Sequence, residues 1–229
     1  MIMSQSSKNE LIRMVAVRVL LAIPALLAMF FLPAWTFSYW HAWVYLGIIL
    51  IPMCLVMTYM FKNEPDLLER RMKMKEPEKE QNLIVRLSLI PFIIAFLIPG
   101  FDYRFGWSNV PVAVVVMSEL LVLLGYGIFF LVMRENRYAS RVVQVEQEQQ
   151  VISSGPYAVV RHPMYLGAIV MYLFSPLALG SYWALIPAAF IVPVFVARLL
   201  NEENVLMRDL KGYKEYMQKT RRRLIPGVW

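Results

Sequence analysis

Gln149-Gln-Val-Ile-Ser-Ser-Gly-Pro-Tyr-Ala-Val-Val-Arg-His-Pro-Met-Tyr-Leu-Gly167 packs polar and turn-forming residues between two strongly apolar segments. Ser154-Gly155-Pro156-Tyr157 reads as a turn, because Gly supplies positive φ and Pro fixes the backbone that follows. Arg161-His162-Pro163 then opens a helix, since Pro is tolerated in a first turn and holds the residue before it outside helical geometry. The apolar run from Met164 therefore begins as a helix at the end of a polar loop.

Downstream, residues 164–179 and 182–200 are apolar and joined only by Gly180-Ser181, a joint that fits a helical hairpin. The second arm ends in Arg198-Leu-Leu-Asn-Glu202-Glu203, with opposite charges four residues apart on one helix face. Over residues 201–223, Leu206, Leu210 and Tyr213 fall on one side and Lys/Arg on the other, so an amphipathic tail helix is expected. Upstream of a polar link at 134–161 stand four further apolar runs, at about residues 11–33, 41–61, 83–99 and 110–133. A bilayer core of about 30 Å needs roughly 20 helical residues, so runs of this kind can span it. The expected fold is all-α: a polytopic integral membrane helical bundle of about six spans, including the C-terminal hairpin. Residues 1–133 would hold spans 1–4 and 134–229 the region that carries the chemistry. Residues 1–10 are expected to be disordered, 100–109 to be a link, and the first run to be a retained anchor.

Composition agrees with a membrane protein: of 229 residues, 59% are hydrophobic and only 17% charged. A net charge of +7 raises the question of nucleic acid, but the basic residues sit at segment ends and form no patch interleaved with aromatics. All but one of the 23 lysines and arginines fall on one side of this layout, and Arg104 alone is on the other. Both termini should therefore face the cytoplasm, and the cytoplasmic membrane is the simplest location. Trp35, Tyr39, Trp40 and Trp43 mark an interface, and His41 reads as an interfacial side chain beside them. In the hydrophilic insert at 62–82, Leu67, Leu68, Arg71, Met72 and Lys75 suggest a short amphipathic helix on the membrane surface. Glu119, inside a span, is a functional candidate because an ionisable group there is costly. Cys54 is the single cysteine, so no intrachain disulfide is possible. No metal site is expected.

Backbone N–H groups and the Arg161/His162 pair at a helix start would suit an anion, and Tyr157 and Tyr165 offer ring faces that attract cations. Arg198 is a forked carboxylate binder, and Glu202 or Glu203 could accept from hydroxyls or an ammonium. A ligand with a carboxylate, an amine, a sulfonium and an adenosine would use nearly all of these groups, and S-adenosylmethionine is such a ligand. The plainer alternative is an i,i+4 pair at a helix end, worth ~0.3–0.5 kcal/mol, beside cations that anchor at headgroups.

Ser-Gly-Pro-Tyr157-Ala-Val-Val-Arg161-His162-Pro163-Met-Tyr165-Leu-Gly167, Arg198-Leu-Leu-Asn-Glu202-Glu203 and Gly212-Tyr213-Lys-Glu-Tyr216 together resemble the isoprenylcysteine carboxyl methyltransferase family and its bacterial relatives. The resemblance covers roughly residues 134–229. It implies a multi-span protein that binds S-adenosylmethionine in a cytoplasm-facing pocket, with a lipophilic methyl acceptor arriving from the bilayer. By that resemblance the cofactor contacts are Gln144, Gln149, Gln150, Val151, Ile152, Tyr157, His162, Pro163, Met164, Tyr165 and Glu202. Arg198 would hold the acceptor's carboxylate. Where the eukaryotic enzymes have His before the Ser-Gly turn this chain has Gln149, which can hydrogen-bond but cannot carry charge. The link between Gln144 and that segment is also shorter.

A carboxylate acceptor is already ionised near neutral pH and needs no base. An amine or thiol would need one, with His162 or Glu203 as candidates. Methylation of a phospholipid amine or small thiol, and a sterol-reductase-like enzyme using a nicotinamide, are the rival enzymatic readings. A transporter or scaffold is the non-enzymatic one, against which stands the lack of an internal repeat.

Overall fold

The computed structural model describes residues 5–72, 79–139 and 142–229. Among them are helices α1 (Gln5–Ala34), α2 (Trp40–Asn63), α3 (Pro65–Met72), α4 (Lys79–Phe105) and α5 (Val112–Glu135), then α6 (Pro163–Ala178), α7 (Leu185–Ala189), α8 (Ile191–Asp209) and α9 (Tyr213–Lys219). A single 3-10 turn occupies Gly155–Ala158, and the described residues contain no strand. Five helical stretches are long and apolar enough to cross a bilayer, and α6 is a shorter apolar helix. The sixteen residues of α6 rise about 24 Å, yet they still run the height of the bundle. Just past its end Ser181 Oγ donates to Asp102 near the far end of α4, and Tyr182 N donates to Ser108 Oγ at 3.0 Å, just before α5 begins.

Several expected boundaries move, each for a physical reason. The polar residues 5–10 are helical rather than disordered, because Leu11 is buried against Met60, Leu67 and Leu68 and anchors the N-terminal end of α1. The short helix of the insert, α3, is docked rather than merely laid on the surface. Its two leucines are in that core, and Arg18 Nη2 donates to the Met72 carbonyl at 2.7 Å. Lys73 and Lys75 lie outside the described residues. Pro91 and Pro99 do not end α4, as neighbouring helices in a membrane tolerate the missing donors. It continues to Phe105, where Asp102 gathers the following residues by accepting from Ser108 N at 2.6 Å and from Ser108 Oγ at 2.6 Å. The hairpin of α6 with α7 and α8 forms as expected. The tail is not one helix: α8 runs on to Asp209, Gly212 turns left-handed at φ 88°, and only α9 follows.

The tightest packing in the bundle joins α5 to α6. A Cβ built on Gly125 would lie 2.6 Å from the Gly167 carbonyl oxygen, and one on Gly167 would lie 2.8 Å from that of Gly125. Small residues here let two membrane helices touch backbone to backbone. Overpacking of this kind costs about 1–3 kcal/mol. Gly125→Ala should therefore lower the thermal midpoint of the detergent-solubilised protein, whereas Gly127→Ala, with nothing within 4 Å of its Cβ, should not. Equal midpoints for the two variants would contradict the close contact.

Candidate functional site

The site begins with the turn that links α5 to α6. Gly155 has φ 55°, the left-handed region that favours glycine, and a Cβ there would stand 2.9 Å from the Glu135 side chain. Ser154 Oγ donates to Glu135 Oε1 at 2.5 Å, tying the turn to the end of α5. Asn136 Nδ2 donates to the Tyr157 hydroxyl at 2.9 Å, and the Tyr157 carbonyl accepts from Tyr216 of α9 at 2.8 Å. Burial raises the Tyr157 hydroxyl above its ordinary value despite the Asn136 bond, and pushes Tyr216 up to about 12. Both tyrosines therefore act as neutral hydroxyls and ring faces, not as bases.

Below the turn lies a buried ion cluster. Glu203, with its side chain 2% exposed, meets Arg161 Nε at 2.7 Å through Oε1 and Arg223 Nε at 2.8 Å through Oε2. His162 Nε2 stands 3.3 Å from the same Oε1. Arg161 also donates to the carbonyls of Thr220 and Arg221, while the backbone N–H groups of Arg161 and His162 donate to Arg222 and Arg223. The anion site expected at this helix start is consequently filled from within the chain. Glu203 is absent from the cavity lining and both its oxygens are engaged, so it is not placed to act as a base.

Glu202, one residue earlier on α8, points the other way. Its Oε2 accepts from the Tyr165 hydroxyl at 2.5 Å, and that hydroxyl accepts from Arg198 Nε at 3.0 Å. The two charges expected to pair along α8 are thus linked through a tyrosine of α6. They border a cavity of about 690 Å³, within the range that accommodates a cofactor or drug-sized ligand.

Gln144, Gln149, Gln150, Val151, Ile152, Tyr157, His162, Pro163, Met164, Tyr165, Arg198 and Glu202 all line this one cavity, although they come from separate segments. The Gln149 side chain is also part of the local fold, its Oε1 accepting from Glu146 N at 2.9 Å, while Gln144 Nε2 donates to Glu146 Oε1 at 2.6 Å. Glu119 and His41 do not line it. Glu119 lies ten residues, about 15 Å, along α5 from Phe129, the one α5 residue that does. His41 is stacked on Trp40 at 3.9 Å and packs beside Gly180.

The cavity has two characters. Toward the tail, Val151, Tyr157, Leu206, Leu210, Tyr213 and Tyr216 form an aromatic and aliphatic pocket. Toward the middle of the bundle the walls are Ile84, Val85, Leu89 and Phe92 of α4 and Ile191, Val194 and Phe195 of α8. A run of rings joins the two: Phe92 to Tyr172 at 5.5 Å, Tyr172 to Phe195 at 5.7 Å, and Phe195 to Tyr165 at 5.7 Å. Sequence reasoning missed this apolar wall and Asn136. The wall residues recur every three or four positions on α4 and α8, a stripe that is hidden when the rest of the helix is equally apolar.

Residues 113–212 match the model of the phospholipid methyltransferase family, which lies within the isoprenylcysteine carboxyl methyltransferase-like superfamily. The matched stretch runs from α5 to the end of α8 and so carries most of the cavity wall. With the five apolar helices, it points to a membrane methyltransferase. No curated protein matches the chain significantly.

The ion cluster supports an expectation about stability. Removing one partner of a buried ion pair typically costs about 3–5 kcal/mol, because the remaining charges stay buried. Glu203→Gln should lower the unfolding midpoint far more than Glu202→Gln does. Midpoints that fall equally would show that Glu203 is not the structural anchor of the tail.

Proposed function

We propose that the chain transfers a methyl group from S-adenosylmethionine to the carboxylate of a lipophilic, isoprenylcysteine-like acceptor. The observation that carries this reading is the position of Arg198 on α8, between the apolar wall at Phe195 and the polar group Glu202, with Tyr165 bonded to both charges. A polar end and an apolar end meeting at a guanidinium fit a water-soluble cofactor and a lipid-like acceptor side by side.

The residues present suit the cofactor. Glu202 and the glutamines at 144, 149 and 150 supply acceptors and donors for its amino-acid and ribose groups, and the Tyr157–Leu206–Tyr213 pocket suits a flat purine. The Tyr213 hydroxyl is buried, lines the cavity and has no hydrogen-bond partner among the described residues, so it is available to a ligand. Bound there, the cofactor supplies an electrophilic methyl on a sulfonium. Arg198 holds and aligns the acceptor carboxylate. One carboxylate oxygen forms the new C–O bond as the S–C bond breaks, leaving a methyl ester and a neutral thioether. No proton leaves the acceptor, so no base is required, and alignment and exclusion of water supply the rate.

The matched family's description favours a second reading, in which the acceptor is a phospholipid amine. Arg198 would then hold the phosphodiester, and the amine would have to lose a proton. His162 is the candidate to take it, although its Nε2 already faces Glu203.

The two readings separate by product. Purified protein in phosphatidylcholine vesicles, given methyl-labelled S-adenosylmethionine, should label N-acetyl-S-farnesylcysteine as an ester that mild alkali cleaves to methanol. Alkali-stable label in added phosphatidylethanolamine would instead establish the amine reading. Arg198→Ala should lower kcat/KM for the carboxylate about a hundredfold while leaving cofactor affinity within about twofold. Unchanged turnover would exclude Arg198 as the clamp.

A further inference from the structure

Gln81 lies in the hydrophilic stretch before α4 becomes apolar, where a glutamine would ordinarily face water, yet it is 0% exposed. Its Nε2 donates to the backbone carbonyl of Arg198 at 2.9 Å. Its Oε1 is buried with no partner among the described residues, so the bond to Arg198 is the one that holds this amide. Beside it Asn201 Nδ2 donates to Glu80 Oε2, a second tie between the same two helices.

The spacing gives this clasp its meaning. Gln81, Val85, Ser88 and Phe92 recur at three- to four-residue intervals and share one face of α4, and all but Gln81 line the cavity. Gln81 is therefore the last turn of the apolar wall, bonded to the residue on α8 where that wall ends. Burying an amide whose carbonyl oxygen meets no partner among the described residues is costly, and a leucine would have packed against α8 without that cost.

We propose that Gln81 is a positioning residue for the methyl acceptor. By holding the Arg198 turn of α8 against α4, it sets the height of the guanidinium relative to the apolar wall, and hence where an oxyanion carried on a lipophilic tail comes to rest. This rests on the methyltransferase reading above and adds to it a part of the acceptor subsite contributed by the N-terminal half of the chain, which the family match at 113–212 does not include.

The test compares Gln81→Met, which keeps the shape and loses the donor, with Gln81→Glu, which sets a carboxylate against a carbonyl. The full chain in phosphatidylcholine vesicles is assayed with labelled S-adenosylmethionine against N-acetyl-S-farnesylcysteine and against phosphatidylethanolamine. Gln81→Met should raise the KM of the acceptor used about three- to tenfold, the ratio that one hydrogen bond of ordinary net strength represents, with the cofactor Kd unchanged. Gln81→Glu should raise it further at about pH 8 and recover toward wild type near about pH 6, as the buried carboxyl gains a proton and can donate again. A role in packing alone would lower the active fraction, and so kcat, at unchanged acceptor KM and with no recovery at low pH. That result, in a chain whose unaltered form turns over, overturns the inference and leaves the methyltransferase reading standing. No transfer by the unaltered chain to either acceptor overturns both.

Discussion

A carboxylate with its side chain 2% exposed, Glu203, is bound by cations from the α6 entry and from the tail. The turn at 154–163 is rich in polar and turn-forming residues, and the tail after α9 adds Leu224 and Trp229 to the core of Ile169 and Leu199. Arg161 and His162 on one side and Arg223 on the other offset the cost of burying that charge, and so tie the two segments to each other. With them come the carbonyls of residues 220–223, which take up the donors of Arg161 and the backbone N–H groups at the head of α6. The entry to α6 is thereby set, and with it Tyr165 and the rest of that helix.

Consecutive residues on a helix point about 100° apart, and α8 uses this at Glu202 and Glu203. One carboxylate is spent on architecture while its neighbour faces the cavity through Tyr165. The same division recurs along the chain. Both Arg161 and Arg198 border the cavity, but Arg161 is bound to Glu203 and to the tail carbonyls while Arg198 reaches Tyr165. Gly125 and Gly167 let α5 and α6 touch, so that Phe129 and Tyr172 can stand on the same cavity wall. Lipid tails are as apolar as leucine, so the helices gain little from hydrophobicity alone; close backbone contact and a few buried polar bonds set their arrangement.

What the sequence made legible follows from contrast. Charged and turn-forming residues stand out against apolar runs, which is why the stretch at 149–167 and the pair Arg198 and Glu202 could be picked out, and why the cavity residues drawn from 144–165 lie on one cavity. Contrast fails in two places. Within an apolar helix the cavity-lining stripe of Phe92, Val194 and Phe195 looks like the lipid-facing residues around it. Within a polar segment a buried residue looks like an exposed one, so Gln81 and the docked helix α3 passed as surface. Glu203 was read by its charge as a chemical group, because nothing local announces that Arg223, twenty residues on, folds back to meet it. A proline misled in the other direction: the expected run stops at Pro99, which would bound a helix in water, whereas in this bundle α4 runs through it as it does through Pro91.

The proposed methyl transfer stands or falls on binding of S-adenosylmethionine by the residues gathered around Tyr165. Calorimetric titration of that cofactor into the detergent-purified chain, with Glu202→Ala beside it and a nicotinamide dinucleotide as control, tests this most directly. Saturable binding to the unaltered protein, an affinity at least about tenfold weaker in the variant, and no heat from the nicotinamide are expected. Equal affinity in the variant, or a folded protein that binds the nicotinamide and not S-adenosylmethionine, would contradict it.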